Sequence, residues 1–377
     1  MLTVSDDGVP VLEPRSVVRR RIVLSLGFFG LLGLILILLM GFGSDDKIIG
    51  SGSTLAEPVI ERASLDYLAL LNADDPDHPE ATGGDWVTTS RGLDYEPVGS
   101  LGGILRLDDP EVDFAASDYP LTPAALAEKA LAQFPLVIGS IAVVHNLDLP
   151  AGAALRLDAN TLAGIYALAI TRWDDPAIAE LNPDIALPDV AITPVHRSDG
   201  SGSTYNLTAY LAGDGGIWTH GVNSVIDWPG GPGAEGSGGM VDAVAATPGA
   251  IGYVEAGRAE RAGLKRAALG NAAGHFVLPG IEGMRAAVRG ASWDAAAHFT
   301  APIAAAGADA YPLTAVTYAL MRRDPANRRD GERTLRFLAF LSAGAGSEAE
   351  ALGFLALPPA AIEAVREYWQ STFEFTT

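Results

Sequence analysis

Within eight residues, His196-Arg197-Ser198-Asp199-Gly200-Ser201-Gly202-Ser203 sets a guanidinium, a carboxylate and a run of hydroxyls beside two glycines. The planar fork of Arg197 suits a tetrahedral oxyanion, and Asp199, two residues on, can pin that fork and offset part of its charge. Where a strand runs through a glycine turn into a helix, backbone N–H groups lack helical partners, and the helix dipole adds to their pull on an anion. The chain spells such an entrance four times. The pentapeptide GSGST occurs at 50–54 and again at 200–204, and Gly99-Ser100-Leu101-Gly102-Gly103 and Gly236-Ser237-Gly238-Gly239 follow the same chemistry. Glycine lets backbone come close to a ligand, and serine adds a hydroxyl donor. Four entrances in one domain point to an oxyanion site.

Each motif also has a plainer reading. A Gly/Ser pentapeptide can be a flexible connector, and Arg197 with Asp199 can be a surface ion pair worth little. Thr54-Leu55-Ala56-Glu57 fits a capping box, in which the Thr54 hydroxyl serves its own helix. That hydroxyl can equally donate to an anion, and both readings stand. Asp118, closing Phe114-Ala115-Ala116-Ser117-Asp118, is either a turn residue before Pro120 or a selector. In an anion site a carboxylate repels a fully deprotonated ligand and accepts a hydrogen bond from one that keeps a proton.

Other chemistries lack their residues. No G-x-x-x-x-G-K-[ST] loop occurs; Lys47, Lys129 and Lys265 are the only lysines. No serine has glycine at both −2 and +2, so the nucleophile elbow is absent. The six histidines show no metal-ligand spacing, there is no cysteine, and no cofactor motif is present. A triad of Ser201, His196 and Asp199 is disfavoured by the closeness of the three in sequence. Forty-six acidic against 25 basic residues give a net charge of −21. Such a chain lacks the counterion-release term that drives nucleic-acid binding. Any anion must be held by local donors against the field of the whole molecule.

The elements that must position these residues alternate. Strands are expected at 47–50, 94–98, 112–117, 136–145, 190–197, 250–255 and 312–321, and helices at 55–71, 123–133, 161–168, 204–212, 240–246, 332–341 and 359–370. This alternation predicts an α/β fold with mixed or mostly parallel sheets, and a 49% hydrophobic composition supplies its core. Residues 72–92 read as an acidic surface loop and 228–239 as a glycine-dense one. Residues 22–42 are apolar but for Ser25, follow Arg15, Arg19, Arg20 and Arg21, and precede Ser44-Asp45-Asp46-Lys47. At ~1.5 Å per residue the segment spans ~31 Å, enough to cross a bilayer. The charge asymmetry puts residues 1–21 in the cytoplasm. The run exceeds a usual signal-peptide core and no small-x-small cleavage site follows, so a retained anchor is expected.

In order along 48–377 the chain also resembles the phosphate-binding proteins of phosphate ABC transporters. The matching pieces are IIGSGSTLAEPV, YEPVGSLGGI, VDFAASDYPLT, FPLVIGSIAVVHN, the long run from LAGIYALAITRWDDPAIAELNP to HRSDGSGSTYNLTAYLA, PGAIGYVEAG and YPLTAVTYALM. The resemblance implies a two-lobed, type II-like periplasmic-binding-protein clamshell, with 48–137 plus 311–377 as lobe one and 138–310 as lobe two. By matching position, Thr54, the backbone of Leu55, Ser100 and Asp118 would meet inorganic phosphate from lobe one. Arg197, Ser201, Gly202 and Ser203 would meet it from lobe two, with Asp199 orienting Arg197. It further implies a periplasmic receptor with no catalytic step, no cofactor and no metal, whose partners are permease subunits and their ATPase. Three departures stand out: Leu55 replaces a usual aromatic, Ser203 replaces threonine, and segment 22–42 would tether the chain to the inner membrane. The alternatives are a sensor or scavenger uncoupled from transport and a phosphatase-like hydrolase.

Overall fold

The structure is a computed structural model and describes residues 2–4, 10–12, 46–73, 91–150, 152–213, 215–300, 307–344 and 346–374. It divides into two units, Met1–Asp46 and Lys47–Thr377. In the first, β1 (Leu2–Val4) pairs antiparallel with β2 (Pro10–Leu12). Among the described residues no helix is long and apolar enough to cross a membrane; segment 22–42 lies outside them, as does 74–90 of the expected acidic loop.

The second unit begins with β3 (Asp46–Gly52), α1 (Glu57–Ala73), β4 (Arg91–Glu96), α2 (Gly99–Arg106), β5 (Phe114–Ser117) and α3 (Pro123–Glu128). Next come β6 (Leu131–His145), β7 (Arg156–Leu157), α4 (Ala159–Tyr166), α5 (Pro176–Leu181), β8 (Thr193–Pro194), β9 (His196–Arg197) and α6 (Gly202–Leu211). They are followed by β10 (Gly233–Ala234), α7 (Gly236–Ala246), β11 (Ala250–Glu255), α8 (Ala256–Arg261), β12 (Lys265–Arg266), β13 (Ala268–Gly270), β14 (Phe276–Val277) and α9 (Ile281–Val288). The unit closes with β15 (Thr314–Arg322), α10 (Arg328–Gly344), α11 (Gly346–Ala351) and α12 (Pro359–Thr372).

The principal sheet runs β4-β3-β5-β15-β6-β11-β8, with β12 also on β6. It is mixed: β3 lies parallel to β5 and β11 to β8, while β15 and β11 run antiparallel to β6. β6 spells LAQFPLVIGSIAVVH, and all 15 residues are buried, as its nearly unbroken apolar spelling requires of a strand covered on both faces. Its two ends have different partners. Residues from Leu131 to Ser140 pair with β15, and those from Ile141 to His145 pair with β11. The exchange divides the unit into a first half around β3, β5 and β15 and a second half around β11, β8 and the glycine turn at 200–203. At Pro135, which has no N–H to give the ladder, the β15 register slips: Thr317 faces Val137 but Tyr318 faces Pro135.

Side by side, β3 and β5 pair Gly52 with Ala116, so Ser53 and Asp118 emerge together at the carboxyl ends of parallel strands, where α/β folds hold their ligands. Gly52 has φ +123° and passes so close to Ala116 that a Cβ would sit 2.2 Å from its carbonyl oxygen, so no other residue fits there. Behind them Tyr67 of α1 meets the rings of Phe337 and Phe340 at 5.6 and 5.3 Å, closing the first half over its core.

Several elements depart from expectation. The helix expected at 123–133 stops at Glu128, because Ala130 takes φ +51° and β6 starts at Leu131. The strand expected at 190–197 divides: β8 joins the main sheet, whereas β9 pairs with β10. Helices α6 and α7 begin within the glycine turns, at Gly202 and Gly236, ahead of the expected starts. Helices α5, α8, α9 and α11 were not anticipated, and α2 was expected only as a helix entrance at its glycine turn. Helix α2 spells GSLGGILR, whose glycines oppose helix formation until tertiary packing overrides them.

Glu255 ends β11 and caps α8, accepting the Arg258 N–H at 3.0 Å. Burial pushes its carboxyl up to about 7, against the opposing pull of Arg261 and Arg258. A folded-state value above the unfolded 4.5 gives stability that is complete below about pH 4.5 and lost as pH rises through about 7. Glu255→Gln should remove that dependence, worth on the order of 3 kcal/mol. Thermal unfolding at acid and alkaline pH checks this: the wild-type midpoint should fall with pH more than the variant's, and parallel curves would contradict it.

Candidate anion-binding site

The first half contributes a carboxylate enclosed by hydroxyls. Asp118 is 3% exposed. Its Oδ1 accepts from Ser53 Oγ at 2.7 Å and Thr317 Oγ1 at 2.8 Å, and its Oδ2 accepts from Ser53 Oγ at 2.8 Å and Ser100 Oγ at 3.4 Å. Ser100 Oγ in turn accepts the Asp118 backbone N–H at 3.1 Å. Burial raises the Asp118 carboxyl above its usual value, and the hydroxyls of Ser53, Thr317 and Ser100 with the charge of Arg197 offset part of that rise. Ser100 lies in the first turn of α2, and that helix reaches the second half through Leu101, whose N–H donates to the Gly200 carbonyl at 3.0 Å.

The second half contributes a guanidinium held by a carboxylate. Arg197 Nε donates to Asp199 Oδ1 at 2.6 Å, and Nη2 donates to Asp199 Oδ2. This two-point fork is the stronger geometry for an ion pair, and the Arg197 side chain is 1% exposed. Burial alone would raise the Asp199 carboxyl; the Arg197 hydrogen bond and charge, with the Gly236 N–H at 3.1 Å, hold it below its usual value. The Arg197 backbone is fixed as well. Its N–H donates to Tyr253 Oη at 3.0 Å, and that hydroxyl pairs with Thr204 Oγ1 at 2.7 Å. Tyr253 on β11 therefore ties the end of β9 to the start of α6.

Between the halves, Arg197 Nη2 donates to Thr54 Oγ1 at 3.2 Å, and Thr54 Oγ1 pairs with Ser237 Oγ at 2.9 Å. Asn206 Nδ2 reaches the Asp118 carbonyl at 2.6 Å, and the rings of Tyr119 and Tyr205 stack at 5.1 Å. Gly202 faces the carboxylate directly: a Cβ there would lie 2.5 Å from Ser100 Oγ and 2.6 Å from Asp118 Cβ. The N-terminal turn of α6, with its unpaired N–H donors and dipole, is thus set against Asp118. Ser201 caps this helix by accepting the Thr204 N–H at 3.3 Å.

Of the residues singled out in the sequence, Thr54, Ser100, Asp118, Arg197, Ser201, Gly202 and Ser203 are all buried and converge here, with Asp199 on Arg197. Leu55 follows Thr54 at the same edge, with its side chain packed toward Gly139. The two readings of Thr54 separate. Helix α1 starts at Glu57, and Ser53 Oγ, not Thr54, accepts the early Ala56 N–H at 2.9 Å; the Thr54 hydroxyl faces the second half. His196, Asp199 and Ser201 do not form a triad. Both His196 ring nitrogens lie on carbonyls, of Arg197 and Gly231, and Asp199 is held by Arg197. Among the described residues no cluster of His, Asp and Glu could hold a metal.

Sequence reasoning missed Ser53, Thr317, Ser237 and Tyr253. Ser53 and Ser237 lie inside Gly/Ser turns already recognised, so the turns were the signal and the register was not. Thr317 and Tyr253 sit in buried strands, and only the β15–β5 and β11–β6 pairings bring them to the site.

A PBP superfamily domain model matches residues 46–343. The phosphate-binding protein PstS of Xylella fastidiosa is 36% identical over 331 residues, covering 87% of this chain and 86% of that one. The PstS of Pasteurella multocida is 34% identical over 286 residues, covering 75% and 83%. Among solved structures, a periplasmic phosphate-binding protein, PfluDING, bound with phosphate, has a TM-score of 0.65 at 21% identity, covering 85% of this chain and 93% of its own. A phosphate-binding protein of Stenotrophomonas maltophilia has a TM-score of 0.63 at 20% identity, with the same coverage; at these identities both speak for the fold alone. With the family model and the sequence relatives spanning most of its length, the chain belongs to the PstS-type phosphate-binding proteins of the PBP superfamily.

Proposed function

We propose that this chain is an extracytoplasmic receptor that captures one inorganic phosphate between two lobes and delivers it to an ABC permease driven by its ATPase. One juxtaposition carries the reading: the ion-paired Arg197 and the N-terminal turn of α6 on one side, and the hydroxyl-enclosed Asp118 on the other. Arg197 supplies charge. Thr54, Ser100, Ser201 and Ser203 supply hydroxyl donors, and Leu55, Gly202 and Ser203 supply backbone N–H groups. Asp118 accepts the proton that hydrogen phosphate keeps and sulfate lacks at neutral pH. The family is a binding and transport receptor, not an enzyme.

In this reading lobe one comprises 48–137 with 311–377 and lobe two comprises 138–310; the change of β6 partners between Ser140 and Ile141 and the start of β15 at Thr314, each a few residues on, support two crossings. Ligand bridging donors from both lobes would drive a hinge closure. Residues 22–42 anchor the receptor in the inner membrane, with 1–21 cytoplasmic and the binding unit outside. Their length, freedom from charge and arginine flank support this.

Arg197→Ala removes the positive charge that the site's described residues supply and should weaken phosphate binding at least about 100-fold, since each charge-assisted hydrogen bond lost is worth roughly 1.5–3 kcal/mol. Unchanged affinity by calorimetry would reject the assignment. Asp118→Asn, which can donate as well as accept, should admit sulfate; a variant that still rejects sulfate counts against the selector role. The full chain should stay with membranes through an alkaline carbonate wash, whereas a form lacking 1–42 should not. Recovery of a free periplasmic species beginning near Lys47 would contradict the anchor.

A further inference from the structure

We infer that Ser53 and Thr317, and not Asp118 alone, set this cleft's preference for an oxyanion that carries a proton; the inference rests on the phosphate-receptor reading above. A carboxylate selects by accepting only while it is ionised. Once protonated it becomes a donor and can bind any oxyanion. What keeps Asp118 an acceptor is therefore what sets specificity.

The hydroxyls around Asp118 have fixed duties. Ser53 Oγ accepts the Ala56 N–H at 2.9 Å, so its one proton is directed to the carboxylate, 2.7 and 2.8 Å away. Thr317 Oγ1 approaches Oδ1 at 2.8 Å. An sp² oxygen accepts about two hydrogen bonds, so Ser53 and Thr317 together occupy Oδ1. Oδ2 has only the shared Ser53 proton and the long 3.4 Å approach of Ser100. Its accepting capacity is directed at Gly202, where a Cβ would lie 3.0 Å from it. That is the side on which the N-terminal turn of α6 would hold an anion. Two donors thus favour the ionised form of Asp118 and hold its rotation, and one oxygen is left for a ligand proton.

Thr317 reaches this position through the pairing of β15 with β5. Tyr318 lies opposite Ser117, so in this antiparallel register the next residue back, Thr317, comes beside Asp118. The charged and titratable groups acting on Asp118 are few. Arg197 favours its ionised form. The Tyr95 hydroxyl, on the first-half side, donates to the Ser53 carbonyl at 3.0 Å. Tyr318 on β15 donates to the Phe299 carbonyl, Tyr205 on α6 stacks on Tyr119, and Asp199 is held by Arg197.

Without the Thr317 donor, burial of Asp118 is less well opposed, its protonated form gains ground as pH falls, and sulfate gains a donor in place of a repelling charge. The test is competition calorimetry of phosphate against sulfate on the full chain, from about pH 5.5 to about pH 7.5, for wild type, Thr317→Val and Thr317→Ser. Thr317→Val should lose about tenfold or more of the phosphate-over-sulfate preference, the loss growing toward acid pH, because one hydrogen bond to a charged group is removed. Thr317→Ser, which keeps the hydroxyl, should restore it. If Thr317→Val weakens both anions by one common factor at every pH, or leaves the preference unchanged, the role is structural and the inference is overturned. Should Thr317→Val not fold, Thr317→Ala gives the same readout. Wild type that binds no phosphate would instead reject the parent reading.

Discussion

Taking the Asp118 carboxylate out of water costs several kcal/mol unless donors replace its hydration, and much of the first half of the binding unit is arranged around that replacement. The parallel pairing of β3 with β5 brings Ser53 to one side of it, the antiparallel pairing of β15 with β5 brings Thr317 to another, and the start of α2 brings Ser100. Gly52 is the backbone condition for all this, since any side chain there would strike the Ala116 carbonyl and push β3 away. An acidic side chain at the heart of an anion site is not a contradiction. It is tolerable because hydroxyls hold it, and useful because an ionised carboxylate admits only a ligand with a proton to offer.

The second half meets the opposite demand. The molecule carries a net charge of −21, so attraction for an anion must be generated locally and kept from being spent on surface carboxylates. Arg197 is nearly inaccessible, clamped at two points by Asp199, and its backbone is secured through Tyr253 to the first turn of α6. Asp199 does more than offset charge: through the Gly236 N–H it also locates the start of α7, which carries Ser237 to Thr54. One carboxylate thus connects the guanidinium to two helix entrances. By contrast, the partly exposed Arg258–Glu57 ion pair between the halves, at 2.7 Å, contributes little on its own; register across the cleft comes from the buried hydroxyl and glycine contacts.

How much of this the sequence disclosed follows from the range of the interactions. Local chemistry was legible: the Gly/Ser turns, Arg197 with Asp199, and Asp118 at a strand end are short-range patterns, and all came together in the cleft. The long strand β6 announced itself by its apolar run. What escaped was set by distance. Thr317 and Tyr253 look like ordinary core residues in sequence, and only strand pairing shows that they support the site. In the first GSGST the Thr54 hydroxyl could cap α1 or meet a ligand; its contacts with Ser237 and Arg197 turn it across the cleft, and Ser53, unweighed in the sequence, accepts the Ala56 N–H. Helix α2 showed only its entrance, because three glycines in GSLGGILR argue against a full helix; Gly103 packs so closely on Gly52 of β3 that a side chain there would collide. The two GSGST copies share a spelling and a turn geometry, and their registers differ: the last residue of the first copy faces the cleft, whereas Thr204 in the second is held by Tyr253.

Trp228 offers a direct view of the cleft, since its ring stacks on His196 at 5.2 Å, beside Arg197. Tryptophan fluorescence of the full chain should therefore respond as phosphate is added. A saturable transition at one phosphate per chain is expected, with no comparable response to sulfate at neutral pH. A chain that shows no saturable response to phosphate, by fluorescence and by heat, or that responds equally to sulfate, would contradict a cleft built from Arg197 and an ionised Asp118 to hold a protonated oxyanion.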